Sequence, residues 1–270
     1  MPLYFEKRII DKVSQIKMWL NDNSDFTKLK SNSDFMKLCV DIGNNLRYIL
    51  LVSASLIPGK KFNHQYNKYQ AIILGLYVRI YKLYDSFCYH TSKSQVEISM
   101  IFLRLIYESS IKMQYLIKND ETSAKSFIFT SYKSHTEGIK YFKKLEKQRE
   151  LATIEKRLLE KWRHQINEDS IAEETLLKNK IWKMDKKSFK DLMREFNIDH
   201  LYPFAFGNSS SAVHGDWNDI KFHHINFSDG SYHPDLEYNR TEPGYITGVS
   251  INCLNKMNEF LKWNDADPDN

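Results

Sequence analysis

The chain has 270 residues, 42% of them hydrophobic, and 39 basic against 34 acidic residues give a formal net charge of +5. That is ordinary for a folded, soluble protein with room for one large domain or two small ones, and too mildly basic to single out a polyanion partner. With only 9 Gly and 6 Pro, turn punctuation is scarce, which favours long helices on short loops over a sheet protein.

Residues 4–20 place Ile9, Ile10, Val13, Ile16 and Leu20 at helical spacing and stop at Asn21-Asp22-Asn23-Ser24. A second helix is expected over 34–55, broken by Pro58-Gly59. The third, over 63–90, carries Tyr66, Tyr69, Ile73, Leu76, Tyr77, Ile80, Leu83, Tyr84 and Phe87 on a wide apolar side. Such coverage marks a central helix touched by several others. Ser92, Ser94 and Glu97 open a fourth helix over 96–118, which Asn119-Asp120 ends, and a fifth is expected over 121–148.

From 140 to 163 the charges alternate in sign, through Lys143, Lys144, Glu146, Arg149, Glu150, Glu155, Lys156 and Arg163. This reads as a solvated helical hairpin projecting from the body, part of a charged helical insertion near 140–200. A basic ridge tracking RNA is the alternative, and the interspersed glutamates weigh against it. Residues 165–200 break into short helices, one opened by Ser188-Phe189-Lys190-Asp191. The aromatic stretch 201–206 and a Ser/His segment follow, then a loop with Asp229-Gly230. The last helix runs from Thr241-Glu242-Pro243 to Trp263, and 264–270 form a frayed acidic end. The expected fold is therefore all-α, a multi-helix bundle forming a single domain over 1–270 with the charged hairpin inserted.

Cys39, Cys88 and Cys253 are far apart and odd in number, which suggests buried thiols in a reducing compartment. The first residues mix acidic and basic side chains, so no signal peptide is expected, and the apolar runs at 48–57 and 71–80 are too short to span a bilayer. The expected setting is the cytoplasm, away from membranes.

The chemistry-bearing residues gather in Ser209-Ser210-Ser211-Ala212-Val213-His214-Gly215-Asp216-Trp217-Asn218-Asp219-Ile220, with His223-His224 just beyond. A histidine can move a proton near neutral pH when its tautomer is held. On one continuous helix His214, Asn218 and Lys221 would share a side with Trp217 beside them, and Asp216, Asp219 and His223 would lie opposite. The first set suits proton transfer or phosphate contact. The second has metal-ligand types but no fourth ligand, so neither a metal nor a cofactor is expected. The serines serve packing or capping better than nucleophilic attack, since no strand-turn-helix elbow surrounds them. A second constellation is Arg104 with Glu108, at i and i+4 inside the apolar run 101–108. Buried charges must be paired, so the expectation is an internal ion pair that either fixes the helix or aims a guanidinium at an anion.

Taken together, Arg104, Tyr107 and Glu108 on one helix and Ser210, His214, Gly215, Trp217, Asp219, Ile220 and His224 on a later one resemble a widespread bacterial all-helical family catalogued as a domain of unknown function. The resemblance spans roughly residues 40–260. A second resemblance is to the HEPN superfamily of helical ribonucleases found in toxin and antiviral systems, whose sites combine an arginine, often followed by asparagine, with a histidine a few residues on. Here Asn208 precedes His214 and Gly207 stands where the arginine would be, so Arg104 would have to supply the cation. That resemblance implies a metal-independent ribonuclease or toxin-type effector, with RNA or a defence-system protein as partner and a homodimer as assembly. His214 would be general base, Arg104 would stabilise the phosphorane charge and Glu108 would orient Arg104. Tyr107, Ser210, Ser211, Trp217, Asn218, Lys221 and His224 would contact substrate. The alternative is a non-catalytic helical module that binds a partner protein or a small anionic ligand.

Overall fold

A computed structural model of the chain describes residues 11, 14–18, 22, 31–56, 59, 62–63, 65–203, 208–238 and 243–265. The fold is all-α, with one small hairpin. The expected first helix falls mostly outside the described residues, within which 14–18 are helical and Ile16 is buried. The chain divides into two compact units, one made of Met1–Ile117 with Phe196–Asn270, the other of Lys118–Glu195.

In the first unit, α1 (Asn32–Ala54) opens where the Ser31 hydroxyl accepts the Asp34 N–H. Helix α2 (Lys68–Ser92) starts later than the apolar pattern suggests, because Asn67 and Gln70 form a reciprocal capping box there. Helix α3 (Val96–Lys118) matches its expected bounds, and α11 (Pro243–Asn264) closes the unit. Leu50 of α1, Tyr77, Ile80, Tyr84 and Phe87 of α2, Ile106 and Met113 of α3, and Cys253 and Phe260 of α11 are fully sealed from solvent. Tyr77 stacks on Phe260 with centroids 4.2 Å apart, and the Tyr84 and Ser250 hydroxyls share a 2.7 Å hydrogen bond. The phenol tips thus find the partners that buried tyrosines need, and burial pushes both hydroxyls well above the usual tyrosine range. Gly43 lets α1 approach α2, since a Cβ there would sit 3.2 Å from Cys88 Sγ. A polar clasp ties α3 to α11: buried Lys256 Nζ donates to Gln114 and Glu259, both at 2.8 Å.

The far end of α11 is not frayed at Asn264, which is fully buried and whose carbonyl accepts the Gly59 N–H at 3.0 Å. Between α3 and α11 in this unit lie α9 (Asn208–His214), α10 (Trp217–His223) and the antiparallel strands β1 (Ile225–Ser228) and β2 (Ser231–Pro234). The hairpin replaces the expected loop. Its two-residue turn, Asp229-Gly230, has φ of 51° and 76°, the doubly left-handed turn whose twist matches paired strands.

The second unit holds α4 (Glu121–Ser131), α5 (Lys133–Leu145), α6 (Thr153–Glu168), α7 (Glu173–Lys178) and α8 (Phe189–Arg194). The helix expected over 121–148 breaks at Tyr132, whose phenol donates to Gln165 O and to Asp169 at 2.6 Å. Anchoring that buried ring outweighs helix continuity. The alternating charges 140–163 fall on α5, α6 and their connection. This unit has its own core of Tyr132, Ile139, Phe142, Leu151, Leu159, Ile166 and Leu176. Its surface is laced by Arg149–Glu155 and by Glu173, which takes both Lys143 and Arg163. Lys118 Nζ donates to the Glu195 carbonyl at 3.5 Å, so the first and last residues of the unit are neighbours. Ser188 caps α8 as expected, in a box with Asp191.

Candidate functional site

The Ser/His segment is not one helix. Helix α9 ends at His214 because Gly215 takes φ +59°, a left-handed stop that costs glycine nothing. The Gly215 N–H still bonds Ser211 O at 2.8 Å. Asp216 then caps α10, accepting the N–H groups of Asn218 and Asp219. The stop-and-restart redirects the chain, so the two faces expected from a single helix do not exist. His214 belongs to α9, while Asn218 and Lys221 belong to α10.

What the break leaves on α9 is Ser210 and His214, four residues apart and so on one side of the helix. On that side stands Arg104, half-buried in the middle of α3, whose Nη1 donates to Ser210 Oγ at 2.6 Å. The bond ties α3 to α9 through side chains more than 100 residues apart in sequence. His214 itself is exposed. The Ser211 hydroxyl and the Asp219 N–H hold the Asp216 carboxyl below the usual range, with nearby His214 a lesser cause.

The expected Arg104–Glu108 pair is not what the side chains form. Glu108 pairs with Lys112 at 3.6 Å, one turn further on. Both Arg104 and Glu108 are half-exposed, so neither demands the internal partner that full burial would impose. Tyr107 is half-buried, and burial raises its hydroxyl, with Cys253 of α11 adding to the effect.

The remaining predicted residues line α10 and the hairpin. Trp217 is exposed and meets the edge of Tyr232 on β2 at 6.1 Å, and Lys221 reaches over the Phe222 ring. Asn218 is exposed, Ser211 is half-buried, and the side chain of Asn208 lies outside the described residues, as does Gly207. His224 caps the end of α10, with Nε2 3.3 Å from Asp219. Asp219 is buried while His224 is half-exposed, a carboxylate holding an imidazole that water can reach. Sequence reasoning placed Asp219 on a face with Asp216 and His223, residue types that suit a metal though none was expected, and missed this pair. The available signal was a histidine directly after a short capped helix, a residue type favoured beside a helix C-terminus. Among the described residues no three His, Cys, Asp or Glu side chains converge as a metal would need. Asp216 caps α10, and Asp219 faces His224 instead of His223.

A family model covers residues 70–232, from the start of α2 into β2, and so takes in both Arg104 and His214. The chain belongs to DUF5677, a family of unknown function. No curated protein and no solved structure matches this DUF5677 chain. Among the described residues no helix is long and apolar enough to cross a membrane.

Proposed function

We propose that this DUF5677 chain is a metal-independent endoribonuclease with HEPN-like chemistry, a toxin-type effector acting on cytoplasmic RNA in antiphage defence. The observation that supports the reading is the 2.6 Å bond from Arg104 to Ser210, which holds a cation on the His214 side of α9. In this reaction His214 removes the proton from a ribose 2′-hydroxyl, and the freed oxygen attacks the adjacent phosphorus. Arg104 donates to the equatorial oxygens as charge builds on them. The bond from phosphorus to the 5′ oxygen breaks, that oxygen takes a proton from solvent, and a cyclic phosphate remains. Ser210 takes over the orienting role once expected of Glu108. The toxin and defence setting, and assembly as a homodimer, rest on the HEPN resemblance alone.

The test is incubation of the purified chain with total RNA and resolution of the fragments. Cleavage should survive chelators and fall by about 100-fold or more in His214→Ala and in Arg104→Ala, the usual range for losing an acid–base or electrostatic group. Absent cleavage, or cleavage unchanged in His214→Ala, sinks the proposal.

One observation favours a second reading. The His214 ring has no hydrogen-bond partner among the described residues, and Glu108 is engaged by Lys112. A non-catalytic module using Arg104 and His214 to hold a small anion or a partner protein needs no oriented base. It would show ligand-dependent melting shifts with no turnover.

A further inference from the structure

The second unit contains a cavity of about 330 Å³ between α4 and the turn at Met184–Lys186. It shares no residue with the Arg104–His214 face and needs no RNA cleavage to be meaningful. One wall is apolar: Phe129, stacked on Trp182 with centroids 5.9 Å apart, and Ile181, which is half-exposed. The rest of the lining is polar, and its groups are unevenly committed. Asn179 spends both ends of its amide on the Ile181 backbone, at 2.8 and 3.4 Å. The Asp185 carboxylate takes the Ser123 hydroxyl at 2.5 Å. Ser126 Oγ accepts the Asp185 N–H at 2.7 Å and keeps its own hydrogen to donate. Lys183 and Lys186 have no ion-pair partner among the described residues. What the lining still offers is therefore a hydroxyl donor and two ammonium groups against a single carboxylate.

The backbone that carries those lysines is strained. Asp185 and Lys186 both adopt positive φ, 49° and 63°, a conformation that non-glycine residues hold only where surrounding contacts over-determine it. Here the Ser123 and Ser126 bonds hold it. The turn brings Lys183 and Lys186 into the same lining as Phe129.

We propose that this cavity binds a nucleoside monophosphate, its planar base against Phe129 and its phosphate between Lys183 and Lys186. Each part has a stated cause. Uncommitted donors select an anion, the aromatic wall selects a flat ring, and the volume lies at the low end of small-molecule sites, about 300–1,000 Å³, enough for one base and one phosphate.

Titration of the full chain with AMP and UMP by calorimetry tests this, with adenosine and inorganic phosphate as separate arms. Mononucleotide should bind below about 1 mM, and adenosine and phosphate should each bind at least about tenfold more weakly, because each lacks one half of the recognition. The double variant Lys183→Ala/Lys186→Ala should lose about tenfold or more in affinity with an unchanged melting temperature, since both side chains are exposed. Phe129→Leu should lose about fivefold. No mononucleotide binding up to about 10 mM, equal binding of phosphate or adenosine alone, or undiminished affinity in the lysine double variant would each overturn the proposal.

Discussion

The Ser210 hydroxyl is small, yet it is what Arg104 holds on to across α3 and α9. Ser210→Ala should leave the fold intact and remove this one bond from the guanidinium, so on the proposed ribonuclease reading kcat for RNA should fall about tenfold, the worth of one charge-assisted hydrogen bond, while His214 is untouched. A rate equal to wild type would mean that the bond is structural decoration. Glu155 gives a second residue-scale prediction. The Arg149 guanidinium, with the Ala152 N–H, holds its carboxyl down to about 2 from an ordinary value of 4.5. A carboxyl lowered in the folded state stabilises above its ordinary value, and that contribution drains away as pH falls toward the folded one. Acid denaturation of the second unit between pH 4.5 and about 2 should therefore be shallower in Glu155→Gln than in wild type. Identical pH profiles would show that this exposed pair contributes nothing.

Between elements, Gly138 of α5 stands in close approach to Trp162 of α6. A Cβ at Gly138 would stand 2.2 Å from the indole, so Gly138→Ala must push the helices apart or turn the ring. The expected loss is about 1–3 kcal/mol, read as a lower melting transition in the tryptophan fluorescence. An unchanged melt would show that the indole can swing aside freely. Helix existence was legible because apolar spacing on α1, α2, α3 and α11 follows burial closely. The breaks were less so. Tyr132 interrupts its helix for a tertiary hydrogen bond to Asp169 that no local pattern encodes. Gly215 and Asp216 were readable as a stop and a cap, and Asp229-Gly230 as a hairpin turn, but the scarcity of glycine argued for helix there. At the site, the charge partners of Arg104 and Glu108 depended on how deeply α3 is buried, a property of the whole packing.

At the scale of the molecule, the cysteines report on one unit only. Cys39, Cys88 and Cys253 sit on α1, α2 and α11, all buried, and burial pushes the Cys88 thiol up to about 12. None lies between Lys118 and Glu195. Native protein should therefore resist thiol reagents at pH 8, and labelling during denaturation should follow the first unit alone, because the thiolate is the reactive form and forms only on opening. Rapid labelling without denaturant would contradict the packing described. Comparing labelling with the fluorescence of Trp162 and Trp182 would reveal whether the units melt together.

The second unit begins and ends within one lysine side chain's reach, Lys118 to Glu195. Its two stumps could thus be spliced by a short glycine bridge without stretching the chain. The excised product would retain Arg104, Ser210 and His214 in a smaller protein, and would ask directly whether the intervening segment is an accessory or a necessity.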